Sequence, residues 1–203
     1  MRNIKLTIEY DGTRYAGWQD QGKKHKTIQQ ALEMALGKIL HERVMVIGSG
    51  RTDAGVHALA QVANFKTDSG IKLEKLRGGL NAVLPQDIVI TGIEEVGLGF
   101  HSRFCAKAKV YRYTICNRRS RPVLSRGKVY FIARPLDLKL MQREARVLLG
   151  RHNFKSFQAS GKIERNPVKR IKKIKLANDK DLLYIDIEAN GFLYYMVRNI
   201  VGT

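Results

Sequence analysis

Two hydrophobic periods alternate along the first hundred residues, and their order leaves little freedom in the fold. Ile4, Leu6, Ile8 and Tyr10 alternate with Lys5, Thr7 and Glu9, the pattern of a half-buried strand, which ends at Asp11-Gly12. Ile28, Ala31, Leu32, Ala35, Leu36, Ile39 and Leu40 then recur at helical spacing on one face, behind Thr27 and Gln30 in a capping-box arrangement. Val44, Met45, Val46 and Ile47 form a short apolar run that reads as a buried strand, and residues 60–65 read as another. Leu73, Leu76, Leu80 and Leu84 mark a second amphipathic helix stopped at Pro85, followed by a strand pattern over 88–93. The order β-α-β-β-α-β describes a ferredoxin-like unit, an antiparallel sheet with two helices on one face.

The second half begins the same order again. Residues 107–117 read as a long strand with Tyr111, Tyr113 and Ile115 on one face. Asp137 is placed to cap a helix running through Leu149, with Leu138, Met141, Ala145 and Leu148 inward and Gly150 closing it. Residues 168–176 and 182–189 predict a hairpin turning at Asn178-Asp179, and an apolar run from Phe192 opens a last helix. A complete second unit would finish that helix and add a strand. The expectation is therefore an α+β chain of two ferredoxin-like halves, residues 1–100 and 101–203, the second cut short at its C-terminus. Two related halves also imply a cleft between them, with the sheets joined across the middle.

Composition supplies the sign of the partner. The net charge is +19, and it is unevenly placed: residues 1–100 carry 13 Lys/Arg against 11 Asp/Glu, whereas 101–203 carry 24 against 7. A merely solvated surface, as in heat-adapted proteins, carries both signs in similar numbers. The second half instead points to a polyanion. Arg118, Arg119, Arg121 and Arg126 crowd one segment, and Lys169, Arg170, Lys172 and Lys173 another; such cations carry affinity and its salt dependence rather than chemistry. Apolar residues make up 44% and prolines number 4, so a packed core is expected. No apolar stretch approaches the length of a membrane span, and the strand pattern starts too early for a signal peptide to precede it. Cys105 and Cys116 have no Cys-x-x-Cys spacing, so they predict neither a zinc site nor a disulfide framework, which fits a reducing, cytoplasmic setting. In the loop over 13–26, which also holds Lys23, Lys24 and Lys26, Trp18 either stacks on a base or anchors the loop on the core.

One loop concentrates reactive groups: Gly48-Ser49-Gly50-Arg51-Thr52-Asp53-Ala54-Gly55-Val56-His57-Ala58. Its glycines permit tight turns, and a cation, a hydroxyl, a carboxylate and an imidazole sit among them. Asp53 has two readings. It is a turn residue whose carboxylate accepts a backbone N–H, or it is a reactive acid presented by a loop on a rigid strand. A phosphate-cradling loop is excluded, because the Gly-x-x-x-x-Gly-Lys-Ser/Thr spacing is absent. A metal-dependent hydrolase needs clustered carboxylates, and Asp53 has no acidic neighbour in its loop.

The run from Gly50 to Ala58 resembles the signature of the TruA-type tRNA pseudouridine synthases over nine consecutive residues. Four further blocks are similar to ones of that family and together span most of the chain. They are Tyr10-Asp11-Gly12-Thr13 with Gly17-Trp18-Gln19; Phe100-His101-Ser102-Arg103-Phe104-Cys105-Ala106 followed by Lys109-Val110-Tyr111-Arg112-Tyr113; Gly150-Arg151-His152-Asn153-Phe154-Lys155-Ser156-Phe157; and the run from Gly191 to Gly202 through Met196-Val197-Arg198. Asn153 stands where many members carry Asp.

The resemblance implies two halves around a basic cleft and a homodimer acting on the anticodon stem-loop of tRNA. The reaction implied turns uridine into pseudouridine and requires no cofactor. Asp53 is then the nucleophile, serving at C6 of the ring, at C1′ of the sugar, or as the base toward a sugar proton. Tyr111 matches the family's active-site tyrosine, to stack on the uracil and assist loss of the C5 proton; otherwise it is a core tyrosine. Arg198 matches the arginine of the Met-Val-Arg block. Set in an apolar run, it asks for a partner, and an ion pair with Asp53 would keep the carboxylate ionised. Arg51 faces the same side as Asp53 in an extended loop, placed for a phosphate or for the space of an extruded base. His57 is read as structural, satisfying a turn. The competing reading is a non-catalytic basic RNA-binding protein.

Overall fold

The alternation at the N-terminus becomes strand β1, Arg2–Tyr10, whose Ile4, Leu6, Ile8 and Tyr10 all enter one core. The computed structural model describes residues 1–20, 22, 25–160 and 166–203, so Lys23 and Lys24 lie outside the described residues. The chain divides into two units, Met1–Ala106 and Lys107–Thr203.

In the first unit β1 is central. It pairs antiparallel with β3 (Ala58–Thr67) on one side and β4 (Ile88–Val96) on the other, and the short β2 (Ile47–Gly48) lies beyond β3, giving the order β2-β3-β1-β4. Helices α1 (Ile28–Leu40) and α2 (Leu73–Val83) bury Ile28, Leu32, Leu36, Leu76 and Leu80 in the same core as the inward residues of the sheet. Thr27 caps α1, its Oγ1 accepting the Gln30 N–H at 3.3 Å. The order is the β-α-β-β-α-β read from the sequence.

One strand is shorter than its apolar run predicts. Val44 and Val46 are buried, but only Ile47 and Gly48 join the ladder. The Val46 N–H donates to Glu33 Oε1 at 3.0 Å, and its carbonyl accepts from Gln29 Nε2 at 3.3 Å. Two side chains of α1 thus take the place of a neighbouring strand.

The other face of this sheet is covered by the chain itself. Asn3 and Asn64 are buried there; Asn64 Nδ2 donates to Asn3 Oδ1 at 3.0 Å, and Asn3 Nδ2 donates to the carbonyls of Gly97 and Phe100. Ser102 completes the network, its N–H reaching Asn64 Oδ1 at 2.9 Å and its hydroxyl the Ile47 carbonyl. These bonds fasten residues 97–102 to the sheet, which is why the first unit runs past residue 100 to Ala106.

The second unit has the strand order β6-β5-β9-β8-β7. Strand β5 is Lys109–Asn117, β6 Tyr130–Ile132, β7 Gly150–Asn153, β8 Val168–Asp179 and β9 Leu182–Ala189. The β5–β6 pairing is parallel and the others are antiparallel. Ile115, Ile171, Ile185, Ile187 and Phe154 form its core with Leu193, Met196 and Val197, the last two on helix α4 (Met196–Gly202).

Three expectations are corrected here. Helix α3 spans only Leu138–Glu144, capped by Asp137, and Ala145–Leu148 tightens into a 3-10 turn. None of its residues is fully buried, so no deep apolar face sustains further helical turns. The hairpin turns at Lys180-Asp181 rather than Asn178-Asp179, because Asn178 and Asp179 still pair with Leu183 and Leu182. Gly150 does not close a helix but opens β7, with φ +98°. Among the described residues no helix is long and apolar enough to cross a membrane.

Candidate active site

The loop between β2 and β3 is held by contacts along its whole length. Asp53 to Val56 makes a four-residue turn in which the Val56 N–H donates to the Asp53 carbonyl at 3.2 Å and Gly55 takes φ +76°, the positive φ such a turn demands. Asp53 is half-buried and Arg51 is exposed. Before the turn, Gln61 of β3 accepts from the Ser49 hydroxyl at 2.8 Å and donates to the Gly50 carbonyl at 2.7 Å.

A second loop, residues 11–18, clamps the first. The Trp18 N–H donates to the Thr52 carbonyl at 3.0 Å, and the Gly55 N–H donates to the Tyr15 carbonyl at 3.2 Å. The hydroxyls of Tyr10 and Thr52 lie 2.9 Å apart. The backbones meet so closely that a Cβ on Gly12 would stand 2.0 Å from the Val56 oxygen, and one on Gly17 2.4 Å from the Thr52 oxygen. Trp18 is 2% exposed and its indole lies against Gly48, so it anchors the loop and is closed to a base. The Gly12 N–H donates to His57 Nδ1 at 3.1 Å, the turn-satisfying use read for that imidazole; the same nitrogen lies 3.0 Å from Asp11 Oδ1.

Burial tunes the two tyrosines of this clamp. It raises the Tyr10 phenol above its ordinary value, against the lowering effect of hydrogen bonds with Thr52 and Gln61. Burial likewise raises Tyr15, and its hydroxyl donates at 2.5 Å to Asp87, whose negative charge raises it further.

In the second unit, Tyr111 sits half-buried on β5 with its ring edge-on to Phe192, centroids 4.9 Å apart. Tyr111 therefore packs against Phe192 of the Gly191–Gly202 block, which ends in the Arg198 helix. Arg198 departs from the sequence expectation of a cation held among apolar neighbours: Met196 and Val197 are buried, but Arg198 is exposed on α4, its guanidinium carbon 5.1 Å from the Tyr195 ring centroid. On the opposite face of β5, Arg112 makes two bonds to Asp186, at 2.7 and 2.8 Å, and these hold the Asp186 carboxyl below the usual carboxylate range.

A profile of the family described as tRNA pseudouridine synthase matches residues 6–105 and 145–203. The tRNA pseudouridine synthase A 2 of Clostridium perfringens is 48% identical over 203 residues, which is all of this chain and 83% of the relative. The tRNA pseudouridine synthases A of Caldicellulosiruptor saccharolyticus and Acetivibrio thermocellus are 50% and 47% identical over the same shares. This chain belongs to the tRNA pseudouridine synthase family. Members of that family are isomerases.

The family's blocks thus have distinct jobs in this structure. The opening block from Tyr10 to Trp18 braces the signature loop, and the Tyr-x-Tyr block lines the second core with Tyr111 and Tyr113. Sequence reasoning missed Gln61, whose isolated position on a strand gives no signal, and it read Tyr10 as an inward strand residue and a member of the opening block without its bond to Thr52. The basic candidates are not alike. Arg118, Arg119, Arg121 and Arg126 are all exposed, and Arg118 also donates to the carbonyls of Ser120 and Arg121 and lies 3.4 Å from Asp181, bracing its own loop. On β8, Lys172 is the extra residue of a bulge, bonded to the Lys107 carbonyl and 3.9 Å from Glu188. Arg170 and Lys173 are exposed and Lys169 is half-buried.

Proposed function

We propose that this chain isomerises uridine to pseudouridine in the anticodon stem-loop of tRNA, with Asp53 as the nucleophile and no cofactor. The observation that carries the reading is the Gly50–Ala58 signature, folded so that Asp53 heads a turn in a loop tied to β3 at Gly50, to β1 through the Thr52 hydroxyl and to the 11–18 loop through Thr52 and Gly55. A reactive group fixed in this way meets the positional demand of catalysis.

The chemistry asks for little else. The N1–C1′ bond of uridine breaks, the base turns, and C5 bonds to C1′; C5 gives up its proton and N1 gains one, so nothing is oxidised or reduced. An ionised carboxylate splits that single hard step into easier ones. By family resemblance, Tyr111 stacks on the uracil and assists loss of the C5 proton, and Arg198 pairs with Asp53 to keep its carboxylate ionised. Arg51 holds a phosphate or fills the space of the extruded base. A uridine in a helical arm must be swung out first, and the A-form groove hides its base edges, so shape and phosphate contacts select the site. Arg118, Arg119, Arg121, Arg126, Lys169, Arg170, Lys172 and Lys173 are the cations assigned to that grip, Arg118 through its loop. The same reading carries a homodimer in the cytoplasm.

The test is tritium release from tRNA labelled at uracil C5. Asp53→Asn and Asp53→Ala abolish release while tRNA binding persists; turnover retained in either variant overturns the assignment. The competing reading, a basic RNA-binding protein, rests on the excess of cations in residues 101–203. It predicts binding indifferent to Asp53 and no modified nucleoside from the wild-type chain.

A further inference from the structure

Among the Phe, Tyr and Trp residues of the first unit, one ring is left in water. Phe104 is 77% exposed, whereas Tyr10, Tyr15, Trp18 and Phe65 are buried and Phe100 is half-buried. The ring is nevertheless presented on a fixed support. Ser102, two residues earlier, is the buried anchor bonded to Asn64 and Ile47. The Phe104 and Cys105 N–H groups both donate to the His101 carbonyl, at 3.0 and 2.8 Å, and the Arg103 N–H donates to His101 Nδ1 at 3.2 Å. The imidazole of His101 stacks on the Phe104 ring, centroids 4.3 Å apart and planes 31° apart, and the Arg103 guanidinium carbon lies 5.9 Å from the ring centroid.

Exposure by itself is shared with Leu59 and Leu124; what sets Phe104 apart is a planar ring on a hydrogen-bonded support with a guanidinium beside it, which is equipment for a planar ligand that carries negative charge. We infer that Phe104, backed by His101 and flanked by Arg103, is a stacking platform for an unpaired nucleobase of the RNA substrate. This rests on the tRNA reading above and extends it to a residue to which that reading gives no role. The chemistry fits a nucleotide: every base offers a π-face to an aromatic ring, and the adjacent guanidinium answers the phosphate of the same nucleotide. A second copy of the chain fits less well. Pairing the patch with itself would bring Arg103 against Arg103. The ring is rigidly placed before binding, which spares the ordering cost a flexible side chain would incur.

The experiment measures equilibrium binding of an unmodified tRNA transcript to the full chain over a series of salt concentrations. Wild type is compared with Phe104→Ala, Phe104→Leu and Phe104→Trp, and sedimentation records the oligomeric state of each. Phe104→Ala and Phe104→Leu are expected to weaken binding by about 5- to 150-fold, the loss of one stacked base. The slope of log K against log salt stays unchanged, because no phosphate contact is removed. Phe104→Trp retains affinity, and its added indole fluorescence is quenched by tRNA. Phe104→Leu guards against a folding defect, since it keeps an apolar side chain at an exposed site. Wild-type affinity in Phe104→Ala overturns the platform and leaves the tRNA reading standing. Weakened binding that accompanies a change in oligomeric state assigns the ring to a second copy and overturns it as well. Failure of the wild-type chain to bind tRNA defeats both readings at once.

Discussion

The Tyr10 hydroxyl lies 2.9 Å from Oγ1 of Thr52, the residue immediately before Asp53. Tyr10 closes the inward row of β1, so this bond fixes the pitch of the signature loop to the central strand of the sheet. Tyr10→Phe keeps the ring and deletes one hydrogen bond, at a cost of about 0.5–1.5 kcal/mol in stability. A loosened Thr52 places Asp53 less well, and kcat is expected to fall by roughly tenfold to a hundredfold with KM nearly unchanged. Steady-state kinetics on tRNA decide the point: a raised KM at constant kcat would contradict a positioning role.

The same clamp predicts how the protein fails in alkali. The folded-state pKa values of Tyr10 and Tyr15 are raised, by burial first, and for Tyr15 also by the Asp87 carboxylate. A group whose pKa is higher folded than unfolded holds its proton more tightly in the native state. Its contribution is fully present below the unfolded value, about pH 10, and is lost as pH rises through the folded value. Urea midpoints measured across that range are expected to fall, and Tyr10→Phe and Tyr15→Phe each make the fall shallower. A slope unaffected by both changes would rule the tyrosines out as its source.

What could be read from the sequence was what short stretches encode by themselves. Thr27 caps α1 because a hydroxyl three residues from an amide is a local relationship, and the order of the first unit follows from hydrophobic period alone. Strand β6 could not be found that way. Its three residues pair in parallel with Ile115–Asn117, and the reward for forming it lies in a distant segment. Val46 misled for the related reason that its backbone partners are side chains of α1. In the candidate site the signature loop was legible as a run of residues, and of the two readings of Trp18 its burial bears out the anchor. The clamp formed by Tyr10, Gln61 and the 11–18 loop was not legible, since it exists only when β1 and β3 lie side by side.

Gly17 and Gly55 separate two kinds of glycine requirement within the clamp. Gly17 has φ +100°, and a Cβ there would stand 2.4 Å from the Thr52 oxygen, which already accepts the Trp18 N–H. Gly55 has φ +76° but open space around it. Gly55→Ala is expected to lose only the conformational penalty, roughly 1–2 kcal/mol. Gly17→Ala adds a backbone clash of about 1–3 kcal/mol and displaces Thr52. Thermal unfolding checks the order of stabilities, and activity is expected to be lost with Gly17→Ala. Equal transitions for the two variants would show that the close approach is relieved cheaply.

The buried Asn3–Asn64–Ser102 network joins residues 97–102 to the sheet, and its weak point is Asn64, which serves both neighbours. Asn64→Leu leaves Asn3 Oδ1 and the Ser102 N–H without that partner in a buried site, at about 1–3 kcal/mol each. Ser102→Ala removes only the bond to the Ile47 carbonyl and is milder. The double change Asn3→Leu with Asn64→Leu is expected to cost less than the two single losses added together, since the shared penalty is counted once. Urea unfolding of the four proteins provides the cycle, and strict additivity would show that the two amides act independently.

Arg118 and Arg119 are adjacent in sequence but differ in what they do. Arg118 spends its guanidinium on the Ser120 and Arg121 carbonyls and on Asp181, shaping the loop that carries the other cations. Arg119 is exposed. If Arg119 meets a phosphate, Arg119→Gln lowers the slope of log K against log salt for tRNA by about 0.7–0.9 and leaves thermal stability alone. Arg118→Gln releases the loop, so it lowers the unfolding temperature slightly and weakens binding through lost geometry. Restoring charge with Arg118→Lys does not recover it, because a single ammonium cannot reproduce a fork that reaches three acceptors. Binding isotherms at several salt concentrations, read beside melting curves, separate the two. The same slope change from both variants, with no effect on melting, would show that Arg118 also faces the RNA backbone and that its bonds within the loop give way on binding.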